Sequence, residues 1–194
     1  HILFNGMPVL DMRRSQLLGK HNVLNIQAAL ALASLAGVEP QNAAEAVYEF
    51  VGAPHRCTEI GTYRGVRFID DSKATNVGAT IAAIEGLIDS VEGKLILIAG
   101  GDAKGADLAP LKSVLDSHVT KLITLGRDAS KLSVLSNNAH IVASMAEAVS
   151  VAFANAEQGD VVLLSPACAS LDMFKNYQHR ARVFADAVAQ EAGQ

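Results

Sequence analysis

Leu95-Ile-Leu-Ile-Ala-Gly-Gly-Asp-Ala-Lys104 is a run of apolar residues with β-branched side chains at Ile96 and Ile98, stopped by two glycines, an acid and a lysine. A short apolar run bounded by turn residues reads as a buried strand. The same grammar recurs at Lys121 to Leu125, His140 to Ala143 and Val161 to Leu164, each followed by a helix-length segment of mixed polarity. Strands alternating with helices predict an α/β fold with a mainly parallel, doubly wound sheet. Upstream, Cys57 to Tyr63 and Val66 to Ile69, joined through Arg64-Gly65, read as an N-terminal hairpin of that domain. Ser144-Met-Ala-Glu147 fits a capping box, and Leu171 to Gln190 predicts a long terminal helix.

Before the hairpin the pattern is different. Ile2 to Phe4 reads as a short strand entering a Gly6 turn, and Asn22 to Ala36 is apolar nearly all round until Gly37 ends it, which predicts a buried helix. A second helical segment after Pro40 carries Ala43, Ala44, Val47 and Tyr48 and runs to Gly52-Ala53-Pro54. Glycine and proline break regular structure there, so a domain boundary is expected between residues 1–53 and 54–194.

Composition narrows the function. The chain has 194 residues, half of them apolar, enough for a substantial core. Sixteen basic against twenty acidic residues leave a net charge of −4 and no dense run of Lys or Arg, which argues against nucleic acid. The two cysteines, Cys57 and Cys168, form no CxxC pair; no metal-ligand spacing appears, and reduced thiols in a cytoplasmic protein are expected. No apolar run reaches the roughly 18 residues of a membrane span, and no signal segment opens the chain. The start, without Met and already in a strand, is expected to lie inside a larger protein.

Ligands of an open parallel sheet bind outside the carboxyl ends of the strands. Four polar loops stand there: Asp70 to Asn76, Gly100 to Lys104, Gly126-Arg127-Asp128 and Ser165 to Ser170. Asp71 to Asn76 gathers an acid, a cation, hydroxyls and an amide, suited to a ligand with sugar hydroxyls and anionic groups. The plainer account is a helix start at which Asp71, Ser72 or Thr75 satisfies free N–H groups, although Lys73 in a first turn would oppose the helix dipole. Gly100-Gly101 permits close approach of an anion and Lys104 can pair with one, or the segment is a tight turn with a solvated lysine. It is neither a Walker loop nor a GxGxxG fingerprint, since Asp102 takes the second glycine's place. Cys168 has no base beside it in sequence and reads as a buried thiol.

His21-Asn22-Val-Leu-Asn25, Pro54-His55-Arg56, Asp71-Ser-Lys-Ala-Thr-Asn76, Gly100-Gly-Asp-Ala-Lys104 and Leu164 to Asn176 together resemble, in order, the motifs of the Mur ligase family of cell-wall amide ligases. The stretches DSKATN and SPACASLD are similar to its D-glutamate-adding branch. The resemblance implies a three-domain enzyme in which ATP phosphorylates the alanyl carboxylate of UDP-N-acetylmuramoyl-L-alanine and the amine of D-glutamate attacks the acyl phosphate. Residues 1–53 would then be a mostly helical remnant, the end of the central ATP-binding domain, and 54–194 the Rossmann-like C-terminal amino-acid-binding domain. By position, Asn22, Asn25, Arg56, Asp71 and Lys73 would serve ATP, and Thr75, Lys104, Ser170, Leu171 and Tyr177 would hold D-glutamate. Lys73 and Lys104 would stand nearest the chemistry. Asp70 replaces an expected asparagine and Tyr177 an expected phenylalanine.

The same resemblance places the phosphate loop GTNGKS/T, the magnesium ligands, a modified lysine and the nucleotide-sugar domain upstream of His1. No metal site and no tightly bound cofactor is therefore expected within these residues, and no activity from them alone. The parent's N-terminal and central domains are the expected partners of a monomer. Two other readings are a nicotinamide-dependent oxidoreductase domain, which the broken glycine fingerprint opposes, and a non-catalytic module binding nucleotide or amino acid.

Overall fold

A computed structural model of the protein describes residues 1–15, 17 and 20–193; the side chains of Lys20 and His21 lie outside that description, and with them the His21 part of the first motif. The described residues form two compact units, His1–Ala53 and Pro54–Gln194.

The first unit opens with strands β1 (Ile2–Phe4) and β2 (Met7–Leu10), paired antiparallel. Asn5 and Gly6 link them with φ of 49° and 81°. Positive φ at both central residues gives the turn whose twist matches a two-residue hairpin, and Asn-Gly is the pair that tolerates it best. Helices α1 (Lys20–Leu35) and α2 (Pro40–Glu49) follow. Ile2, Leu10, Ile26, Leu30 and Ala44 make the small core of this unit. The expected buried helix is therefore only partly so: Leu24, Leu32 and Leu35 of α1 are 67%, 67% and 86% exposed. An all-round apolar helix has several faces to cover, and the hairpin and α2 cover one stripe.

The second unit begins with the expected hairpin, β3 (Thr58–Tyr63) antiparallel to β4 (Val66–Asp70). Thereafter come α3 (Val77–Leu87), β5 (Leu95–Gly100), α4 (Leu111–His118), β6 (Val119–Leu125), α5 (Ala129–Ser133), β7 (Ala139–Ile141), α6 (Met145–Asn155), β8 (Val161–Leu164) and α7 (Tyr177–Ala192). The sheet order is β3-β4-β8-β5-β6-β7, parallel everywhere except at the hairpin. The last strand is thus inserted between β4 and β5. Strand residues two apart share a face: Val66, Phe68, Ile96, Ile98, Ile123, Leu125, Val162 and Leu164 pack with Ala148, Val149 and Ala152 of α6 and Phe184 and Val188 of α7. Ile69, Leu97 and Leu163 take the opposite face, while α3 and α4 pack together and bury Ala83, Ile84, Leu87, Leu111, Val114 and Leu115. Helices thus lie on both faces, as the alternating pattern predicts.

Several boundaries differ; β6, for one, begins at Val119 and not at Lys121. The seventh strand sits at Ala139–Ile141, earlier than His140 to Ala143. The terminal helix starts at Tyr177, because Asn176 accepts from the His179 amide at 2.7 Å and caps it, leaving Leu171 to Asn176 as turns. Helix α3 is likewise capped by Asn76, which accepts from the Ala79 amide, so Asp71, Ser72 and Thr75 are not its cap and Lys73 lies outside its first turn. A variant of the capping box is present: Ser144 accepts from the Glu147 amide at 3.2 Å, while Glu147 reaches one residue past the cap to the Ala143 amide at 2.8 Å.

Candidate active site at the carboxyl ends of the strands

The loops after β4, β5, β6 and β8 are stitched into one surface by their backbones. Gly100 N–H donates to Pro166 O at 2.9 Å, Gly101 N–H to Leu125 O at 2.9 Å, and Asp102 and Ala169 exchange a pair at 3.0 and 2.9 Å. Gly100 and Gly101 have φ of 133° and 124°, and a Cβ on either would run into the carbonyl of Leu125 or Ala169. The double glycine is thus a close-packing device between loops.

Non-glycine residues with positive φ concentrate here as well: His55, Cys57, Lys104 and Ala167 at 64°, 47°, 52° and 58°. Such backbone is held only where its surroundings over-determine it, and it gathers at functional sites. Lys104 is held by its own amide, which donates to Asp102 Oδ1 at 2.8 Å. Arg127 Nη1 meets the other oxygen of Asp102 at 2.7 Å, and the Arg127 amide donates to Asp172 at 2.8 Å. Asp128 accepts from the Ala103 amide at 2.8 Å and pairs with Lys131 at 2.8 Å, contacts that hold its carboxyl below the usual range.

The carboxylates of the site therefore turn inward. Asp70 is 3% exposed, accepting from the Ser72 amide at 2.9 Å and from His55 Nδ1 at 2.7 Å. Asp71, expected to serve ATP, directs both oxygens inward, to the Cys57 amide at 3.2 Å and the Ser165 hydroxyl at 2.8 Å. Burial raises its carboxyl from 3.8 to about 6, against the opposing pull of those two donors. Cys168 is fully buried and burial pushes its thiol up to about 12, while Cys57 is driven higher still by burial and by Asp71. Neither is a thiolate nucleophile at neutral pH.

Cations, by contrast, stand outward. Arg56, Lys73, Lys104 and Arg127 are exposed, as are Thr75 and Leu171. Lys73 Nζ lies 4.2 Å from the centroid of the Tyr177 ring, and the His55 ring packs against Tyr177 at 5.8 Å and 78°. Ser170 is buried and its carbonyl accepts the Met173 and Phe174 amides. In the first unit, Asn22 and Asn25 share one side of α1, with Asn25 Nδ2 donating to Asn22 Oδ1 at 3.2 Å.

One residue absent from the sequence reading organises the surface. Arg180 is 1% exposed and has no carboxylate in contact; it donates to Ser72 O at 2.9 Å, Cys168 O at 3.2 Å and Gly100 O at 3.5 Å. Burial lowers its pKa to about 10. It tethers the loops after β4, β5 and β8 and places one positive charge beneath them. Its signal was readable: Arg180 falls on the same helical stripe as Phe184, Ala187 and Val188, an arginine where the period asks for an apolar side chain. Among the described residues no cluster of His, Cys, Asp and Glu suits a metal. No helix there is long and apolar enough to cross a membrane. A surface of exposed lysines over inward carboxylates is built for an anionic ligand.

Residues 55–168 match the family model described as "Mur ligase, glutamate ligase domain". The chain is 46% identical over 187 residues to the UDP-N-acetylmuramoylalanine–D-glutamate ligase of Idiomarina loihiensis and 50% identical over 188 residues to that of Shewanella oneidensis. These matches cover 96% and 97% of this chain but 40% and 42% of the relatives. Among solved structures, a MurF ligase of Thermotoga maritima in complex with ADP aligns with a TM-score of 0.69 at 16% identity, covering 90% of this chain and 39% of that one. The UDP-N-acetylmuramate–alanine ligase of the same organism aligns with a TM-score of 0.66 at 19% identity, over 91% and 39%. The four-loop surface on a Rossmann-like sheet and the span of the family match lead to one assignment: the chain belongs to the Mur ligase family, through its glutamate ligase domain.

Proposed function

We propose that the chain is the amino-acid-binding part of an ADP-forming ligase that joins D-glutamate to UDP-N-acetylmuramoyl-L-alanine in the cytoplasm. The observation that carries this reading is the outward placement of Lys73 and Lys104 on two neighbouring loops whose own carboxylates are engaged internally. D-Glutamate brings two carboxylates, and an acyl phosphate brings further negative charge; exposed lysines on a fixed frame match both. Identity near one half to relatives bearing that name supports the choice of amino acid.

In this reading Lys104 takes a carboxylate of D-glutamate, with Thr75, Leu171 and Tyr177 shaping its seat and Ser170 acting through its backbone. Lys73 stands by the phosphoryl group. Arg56 faces ATP, as do Asn22 and Asn25, while Asp71 serves the nucleotide end by fixing the Cys57 loop. A carboxylate is a poor electrophile, so ATP supplies the phosphoryl group that makes it one, and these cations offset the charge that grows in the tetrahedral intermediate. Magnesium, in this reading, falls to the parent's central domain.

The test is ADP release by the full-length parent enzyme, given UDP-N-acetylmuramoyl-L-alanine and a panel of amino acids. Release that depends on D-glutamate and not on L-glutamate or diaminopimelate is expected. Release supported only by another amino acid would overturn the substrate, and tight binding of NADH would overturn the class.

A further inference from the structure

Two consecutive aspartates at the end of β4 clamp the loop that enters the hairpin. Asp71 accepts the Cys57 amide, and Asp70 accepts His55 Nδ1 at 2.7 Å. A carboxylate only accepts, so this contact fixes the ring proton on Nδ1 and the plane of the imidazole. His55 also receives the Lys73 amide on its own carbonyl at 3.1 Å, so the backbone of Lys73 is located by the same residue. Beyond it, the His55 ring stands 78° to the Tyr177 ring, and Lys73 Nζ sits 4.2 Å from the centroid of that ring. Asp70 is buried and the His55 side chain is 26% exposed, so the chain of contacts runs from the interior to the surface. Tyr177, at the first position of α7, has one ring to offer to both neighbours.

We propose that Asp70 and His55 are positioning residues for the Lys73 ammonium: Asp70 orients His55, His55 braces Tyr177, and the Tyr177 ring seats Lys73. The proposal deepens the reading above and rests on it for its kinetic consequence. Without the brace, Lys73 keeps its charge and its backbone but loses a fixed address, and a long lysine side chain then loses freedom on meeting its ligand. His55 is not itself a catalytic residue here; it acts through Tyr177.

The test has two arms. In NMR spectra of this chain, the Lys73 ε-methylene protons are expected to be displaced upfield by the Tyr177 ring, the displacement vanishing in Tyr177→Leu and falling by more than half in Asp70→Ala and His55→Asn. Asparagine suits His55 because it tolerates the positive φ there, and alanine at 70 removes the hydrogen-bonding group altogether, so dispersed spectra are expected from all three variants. Lys73 protons that stay put in Asp70→Ala and His55→Asn would overturn the proposal. In the parent enzyme, His55→Asn and Tyr177→Leu should each lower kcat roughly two- to fivefold, the size of an exposed cation–ring contact, because Lys73 stands by the phosphoryl group. The double variant should be no worse than Tyr177→Leu alone, whereas effects that multiply would overturn the relay. A parent enzyme indifferent to D-glutamate would sink the substrate reading, and the ring-current arm would still decide the relay.

Discussion

Arg180 Nη2 donates to the Ser72 carbonyl at 2.9 Å, tying the last helix of the chain to the loop that follows the second strand of the hairpin. The two residues are 108 positions apart, and the contact is buried. The same guanidinium reaches the loops after β5 and β8, so the shape of the site depends on a side chain that faces away from any ligand.

Arg180→Met is expected to destabilise the chain by about 2–5 kcal/mol, because it leaves three carbonyls without their donor in a dry place. Arg180→Lys should recover part of the loss, as an ammonium cannot span three acceptors so far apart. Urea unfolding followed by circular dichroism measures both. A loss below about 0.5 kcal/mol for Met would mean the carbonyls find other partners.

Asp71 gives the fold a pH dependence of definite sign. Its folded carboxyl is raised by burial from 3.8 to about 6, so the folded state binds a proton that the unfolded chain has released. The contribution is complete below the unfolded value and is lost as the pH climbs through about 6. Two units correspond to about 3 kcal/mol. The difference in unfolding free energy between wild type and Asp71→Asn should therefore fall between pH 4 and pH 7. A difference that stays level over that window would mean Asp71 is ionised in both states.

Gly100→Ala and Gly105→Ala separate crowding from backbone cost. Both glycines have positive φ, but a Cβ at Gly100 would meet the Leu125 carbonyl and one at Gly105 would meet nothing within 4 Å. Gly105→Ala should lower stability by about 1 kcal/mol. Gly100→Ala should abolish cooperative unfolding or lower the midpoint severalfold more. Equal effects in thermal melts would contradict the loop packing described above.

Lys104→Ala in the parent enzyme should raise the D-glutamate KM at least tenfold, about 1.4 kcal/mol, while leaving the melting temperature of the protein within a degree. The side chain is exposed, and the loop is held by the Lys104 amide, which alanine retains. Steady-state kinetics with varied D-glutamate checks the first expectation. An unchanged KM and kcat would remove Lys104 from the site.

The strands and the loops that follow them were legible because apolar β-branched runs such as Leu95 to Ala99 end in glycine, and because ligands of such sheets gather at one edge. Ser144 was legible as a cap since one serine stands three residues before one glutamate. The start of α3 was not: Asp71, Ser72, Thr75 and Asn76 can all cap, and only the contact of Asn76 with the Ala79 amide decided among them. The exposure of Leu24, Leu32 and Leu35 was likewise hidden, because sequence reports that a helix is apolar and not how much of it its neighbours cover. Within the site, the exposed lysines were readable from composition and position. The inward turn of Asp71 and the carbonyls that Arg180 reaches were not, since Ser165 lies 94 residues from Asp71 and Ser72 lies 108 from Arg180.

The insertion of β8 between β4 and β5 sets an order of events during synthesis. Until Leu164 has emerged from the ribosome, the hairpin β3-β4 and the trio β5-β6-β7 are separate half-sheets, each with an unsatisfied edge where β8 will lie. Contacts closed across so long a stretch of chain form late and leave edges open to other chains meanwhile. The surface that would hold the ligand is thus assembled last, once β8 has docked and α7 has delivered Arg180 behind it.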